Sequence, residues 1–140
     1  MPRRQGALPP TQLVEIAILS GVVGVLVTVH FFLPEALRSQ FLFTYGEPTV
    51  VSAWTAAIIH DSVSHLASNV TWYATVMGSA YALTTTWERR RPFWFAVVGC
   101  LVLAPPMTKL GDYWLLRLQW NLVADATTAR GFSGVVSAFG

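Results

Sequence analysis

Charge is what this sequence has least of. Lys, Arg, Asp and Glu make up 11% of its 140 residues, against about 25% in an ordinary soluble domain. So few charges cannot coat a globule of this size, which excludes a soluble enzyme, a disordered tail and a nucleic-acid binder. Cysteine is nearly missing as well. Cys100 stands alone, so neither an intrachain disulfide nor a cysteine-based metal site is expected. Its surroundings, Val98-Gly99-Cys100-Leu101, read as a small buried apolar stretch. Internal repeats and low-complexity segments are also lacking.

What remains is apolar. Hydrophobic residues reach 54% and the mean hydropathy is +0.51, the profile of a membrane protein. At roughly 20 residues per span plus connections, the length allows one domain with no more than about four or five spans.

Residues 16 to 34 carry no charge and form the first expected span. Arg3 and Arg4 ahead of it imitate the basic start of a signal peptide. The apolar run, however, exceeds the usual signal core of about 7–15 residues, and no small-x-small cleavage site follows His30-Phe31-Phe32-Leu33. An uncleaved anchor is expected. Residues 62 to 87 form a second charge-free stretch, and Pro92 to Thr108 a third, which Pro105-Pro106 should stop. A fourth run begins at Gly131-Phe132-Ser133 and reaches Gly140. The fold expected is an all-α polytopic membrane protein with three complete transmembrane helices plus the start of a fourth. Residues 1–11 form a cytoplasmic lead-in and residues 12–140 the membrane domain.

Charge placement gives an orientation. With the N-terminus cytoplasmic, the inner side holds Arg3, Arg4, Arg89, Arg90 and Arg91 against Glu88. The outer segments hold Arg38, Lys109, Arg117 and Arg130 against five acids, Glu35, Glu47, Asp61, Asp112 and Asp125. This asymmetry obeys the positive-inside rule, and Trp87 and Trp94 bracket the triple arginine as interfacial anchors. Residues 35–60 and 109–130 mix aromatic and aliphatic residues with charges and read as loops or short helices in the headgroup region.

Against this background four polar residues stand out: His60, His65, Asn69 and Ser133. Ionisable groups in or near a span mark functional sites by default. His65 and Asn69 are four apart and share a helix face, about 40° from one another. All four fall at the outer ends of their segments. Interhelical hydrogen bonding accounts for any one of them alone. A metal site would need a different spacing, because His60 and His65 lie about 140° apart on an ideal helix, unlike the i,i+4 histidines of zinc helices. No metal and no cofactor are expected.

Together, His60-x4-His65-x3-Asn69 and the later Gly131-Phe132-Ser133-Gly134 resemble the motifs of the rhomboid intramembrane serine proteases. The resemblance runs from the first span to the start of the fourth and implies a rhomboid-like helical bundle. It implies Ser133 as nucleophile, His65 and Asn69 as oxyanion donors, His60 as their support, and Gly131 and Gly134 as motif glycines that admit close backbone approach. A serine at a helix start suits this role, because unpaired N–H groups there can hold a developing oxyanion. The implied activity is cleavage of peptide bonds in or near transmembrane segments of membrane proteins. The family's base is a histidine on a sixth helix, and these 140 residues hold no counterpart. His30 is read as interfacial, so this chain by itself is expected to be inactive. The alternative is a rhomboid-like pseudoprotease that binds transmembrane clients without cutting them. A small transporter or channel subunit ranks below both, since the polar residues are shallow and on one side. The partners expected are transmembrane protein substrates and the lipid bilayer, with no nucleic acid.

Overall fold

Long apolar stretches become helices wherever no breaker intervenes. In the computed structural model, which describes residues 9–84 and 87–132, helix α1 spans Pro10–Phe32. Pro10 sits at its first position, where a missing N–H removes no helical bond. Extended Leu33 then hands the chain to Pro34, as the residue before a proline favours. The outer segment that follows is built of short pieces: α2 (Glu35–Arg38), a 3₁₀ turn (Ser39–Phe41), strand β1 (Phe43–Thr44), α3 (Val50–Thr55) and a second 3₁₀ turn (Ala56–Ile58). Thr49 and Ser52 cap α3 reciprocally, each side chain accepting from the other's backbone N–H.

Helix α4 (Val63–Leu83) starts at Ser62, whose Oγ accepts from the His65 N–H at 3.2 Å. Helix α5 (Trp87–Asp112) runs on into a π-helical turn, Tyr113–Gln119, before strand β2 (Thr128–Ala129). The core of the bundle lies among Leu19 and Leu26 of α1, Leu66, Tyr73 and Met77 of α4, and Val97 and Ala104 of α5, with Phe132 completing it. Leu66, Tyr73 and Met77 recur at helical spacing on one face of α4.

Among the described residues, two helical stretches are long and apolar enough to cross a membrane, Pro10–Phe32 and Glu88–Gln119. Three complete spans were expected. Helix α4 has the length, 21 residues or about 32 Å, but His65, Asn69 and its several Ser and Thr residues dilute its apolar character. Only 11% of the first apolar stretch and 28% of the second are buried. A core helix of a soluble globule would be covered mostly by protein.

Pro105 and Pro106 also behave otherwise than the sequence implied, since α5 passes through both, and through Pro92. Each proline removes an N–H but keeps a helical φ, and apolar helices tolerate this where neighbours support the backbone. Helix α3 packs on α5 and supplies that support. Its Val50, Val51 and Trp54 line one open apolar cleft with Val102, Leu103 and Pro106.

The two outer segments join each other. Antiparallel β1 and β2 pair Phe43 with Ala129 and Thr44 with Thr128. The Tyr45 N–H donates to the Thr127 carbonyl at 3.1 Å and the Gly46 N–H to that of Asp125 at 2.8 Å. A Cβ on Gly46 would meet the Asp125 carbonyl oxygen at 3.0 Å, so only glycine allows this approach without a shift. Beneath the clasp Phe43, Tyr45, Ala53 and Ala56 form a second small core.

At the opposite end, the Glu15 carboxylate of α1 is buried and gathers three donors. Tyr81 Oη of α4 donates at 2.6 Å, and from α5 Arg90 Nη1 donates at 3.0 Å and Trp94 Nε1 at 3.4 Å. Both members of the ion pair keep only 11% of their side-chain exposure. Removing one partner strands a charge, so Glu15→Ala should cost about 3–5 kcal/mol. Unfolding in detergent micelles measures this, and Glu15→Leu combined with Arg90→Leu should recover most of the loss.

Candidate active site

The residues between α3 and α4 turn the chain sharply at His60, which is 1% exposed. Nine residues on, one helical face away, Asn69 is also buried, and its Nδ2 donates to His60 Nε2 at 3.1 Å. An amide nitrogen only donates, so Nε2 must carry a lone pair and the ring must be neutral. Burial holds it so. Desolvation, reinforced by His65 and His30, outweighs the Ile58 backbone and Asp61 and pushes the His60 pKa down from 6.5 to about 4. Among the described residues its Nδ1 finds no well-formed hydrogen bond.

His65 lies in the first turn of α4, its ring 5.2 Å from that of His60 and edge-on to it. Its Nδ1 is 2.8 Å from Asp61 Oδ1. The pairing follows from helical geometry, with the two residues four apart across the start of the helix. The hydrogen bond from His65 holds the Asp61 carboxyl below the usual carboxylate range, and Arg130 adds to the effect.

The second half of the motif arrives from β2. Gly131 has φ +103° and donates its N–H to the Ala56 carbonyl at 2.9 Å. Lys109, buried on α5, places Nζ 3.5 Å from the carbonyl oxygen of Arg130, the preceding residue. A Cβ on Gly131 would stand 2.7 Å from His65 Cε1 and 3.0 Å from Nε2. Phe132 then drops into the bundle against Tyr73, ring centroids 5.9 Å apart.

Of the residues singled out in the sequence, His60, His65, Asn69 and Gly131 therefore converge at the end of the bundle opposite Glu15. Ser133 and Gly134 lie outside the described residues. His30 lies in the last turn of α1, its carbonyl oxygen accepting from Arg38 Nη1 at 3.2 Å and its ring edge-on to Phe31. Sequence reasoning missed Asp61 as a partner of His65, and Ala56, Lys109 and Arg130 as the setting of Gly131. The i,i+4 spacing of Asp61 and His65 was the one signal available. No group of three or more metal-ligating side chains occurs among the described residues. Comparison with family models, curated proteins and solved structures finds no match.

Two outcomes follow. Gly131→Ala meets the His65 ring and a backbone that L residues rarely adopt, so it should destabilise the chain by at least about 1 kcal/mol, seen as a lower unfolding midpoint in micelles. Because the pKa of His60 is depressed in the folded state, the unfolded chain binds the extra proton between pH 6.5 and about 4. Stability should be fully present above that window and fall by about 1.4 kcal/mol per pH unit within it. His60→Gln should flatten the profile; an unchanged slope would refute the assignment.

Proposed function

We propose that the chain is an intramembrane serine endopeptidase of rhomboid type, cleaving peptide bonds in or near transmembrane segments of other membrane proteins. The observation that carries this reading is the meeting of His65, within the His60–Asn69 cluster, with Gly131, which opens Gly131-Phe132-Ser133-Gly134. The two halves of the motif are more than sixty residues apart in sequence, and interhelical hydrogen bonding alone gives no reason for them to coincide. In this reading Ser133 is the nucleophile, His65 and Asn69 are oxyanion donors and His60 is their support.

In this reading the protein is multi-pass in the cell membrane with a cytoplasmic N-terminus. Helix α4 counts as the second of three spans, with Asn69 turned toward protein, and residues from Ser133 begin a fourth. The five inner arginines, Arg90 among them, support that orientation.

A second reading, a non-catalytic binder of transmembrane clients, draws support from one contact. The Asn69 amide, an expected oxyanion donor, is committed to His60. A fluorophosphonate probe separates the two when the 140 residues are expressed with a further base-bearing helix. The protease reading expects the 140 residues alone to stay unlabelled and the extended protein to label at Ser133, with the label lost in Ser133→Ala. An extended, folded protein that retains transmembrane peptides and leaves Ser133 unlabelled selects the binder.

A further inference from the structure

The first turns of α5 carry arginine at three successive positions, and the structure puts them to different uses. Arg90 is taken by Glu15. Arg89 and Arg91 are exposed and, among the described residues, form no ion pair. Each helical residue turns by about 100°, so these two lie on nearly opposite faces. Only Arg91 heads an apolar face. Arg91, Trp94, Phe95 and Val98 follow one another at the spacing of a single helix face and line an open cleft of about 370 Å³ along α5. Phe95 and Val98 are both exposed there.

Two contacts hold the cleft in shape. The Trp94 indole, which forms one wall, is fixed by its Nε1–H donating to Glu15 Oε1 at 3.4 Å, and it lies edge-on to Phe93 with ring centroids 5.5 Å apart. At the head of the cleft the Arg91 guanidinium sits over the Phe95 ring, its Cζ 5.8 Å from the centroid. Stacking on a ring uses the flat face of the guanidinium and leaves its N–H fork unoccupied.

We propose that this cleft binds one anionic phospholipid from the leaflet on the arginine side, its phosphodiester on the Arg91 fork and an acyl chain along Phe95 and Val98. Charge and shape together select that occupant. Two phosphate oxygens match the guanidinium fork bidentately, and hydrocarbon matches the exposed apolar stripe below it. Free phosphate would leave that stripe uncovered, and an apolar protein helix would strand the cation. Glu88, exposed and one turn ahead of Arg91, sets a limit on the headgroup. A single phosphodiester fits beside its carboxylate, whereas a multiply phosphorylated headgroup would be repelled. The stretch Glu88–Gln119 is long and apolar enough to cross a membrane, so Arg91, near its start, stands where lipid phosphates give way to acyl chains. The cleft lies at the Glu15 end, away from the histidines, and its occupant is independent of the serine chemistry.

The test uses the full 140-residue chain in detergent micelles holding equal amounts of phosphatidylglycerol and phosphatidylcholine, with retained lipid counted by native mass spectrometry. The wild-type chain should keep one phosphatidylglycerol in preference to phosphatidylcholine. Arg91→Gln should lower that preference at least about tenfold, the range of a hydrogen bond to a charged group. Arg89→Gln should lower it by no more than about fivefold, the diffuse attraction of one surface arginine. Val98→Trp fills the cleft and should reduce retention of both lipids. All three positions are exposed, so the unfolding midpoint should stay at the wild-type value and separate lost binding from lost fold. Equal losses in the two arginine variants mean a diffuse surface charge and overturn the proposal. So do wild-type retention in Val98→Trp, displacement of the lipid by soluble glycerophosphate at matched concentration, and a dimer of the chain in place of the lipid adduct.

Discussion

The Glu15 carboxylate is the point from which the bundle is organised. It is the acid buried in α1, and donors from α4 and α5 converge on it. In an apolar setting there is no water to compensate an unpaired charge, so the three helices can meet at this end in few ways. Arg90 strengthens the constraint, since its Nε also donates to the Thr84 carbonyl at 3.1 Å and its guanidinium lies over the Tyr81 ring. Such a pair adds little net stability over a well-packed apolar one, yet it fixes rotation and register between helices whose exposed apolar sides do neither.

The outer end meets the same requirement with neutral groups and backbone. The clasp of β1 and β2 sets the height at which Gly131 arrives, and the Ala56 carbonyl holds it there. The left-handed backbone of Gly131 then lets the chain pass under the His65 ring with no side chain between them. Each element of the candidate site is thus fixed by a polar contact at its own position, and the apolar core below supplies the packing. Leu26, Ala57, Leu101, Pro105 and Phe132 line an apolar crevice of about 190 Å³ between the helices.

Much of this was legible from residues and spacing. His60, His65 and Asn69 stood out because histidine and asparagine are costly in an apolar helix, and the spacing of His65 and Asn69 already implied a shared face. The helices themselves followed from charge-free runs. Three features were hidden, each for a physical reason. Glu15 and Arg90 look like markers of the span ends, and their pairing across 75 positions is a tertiary fact that local pattern cannot carry. Pro105-Pro106 is a stop signal in water, but a helix supported on its flank absorbs it. Asp61 read as one more outer acid, since its role depends on which way the His65 ring turns, and the sequence gives the spacing of that pair without its orientation.

The two-residue sheet has a consequence for the order in which the molecule comes together. His60, His65 and Asn69 belong to one local stretch and can find each other as soon as α4 has formed. Gly131 reaches them only after Phe43 has met Ala129 across a separation of 86 positions. Closing so long a loop is the slow, entropically unfavourable step, and it waits until the second outer segment stands beside the first. Gly131 therefore joins the histidines late, and the polar cluster stays incomplete until β1 and β2 have paired.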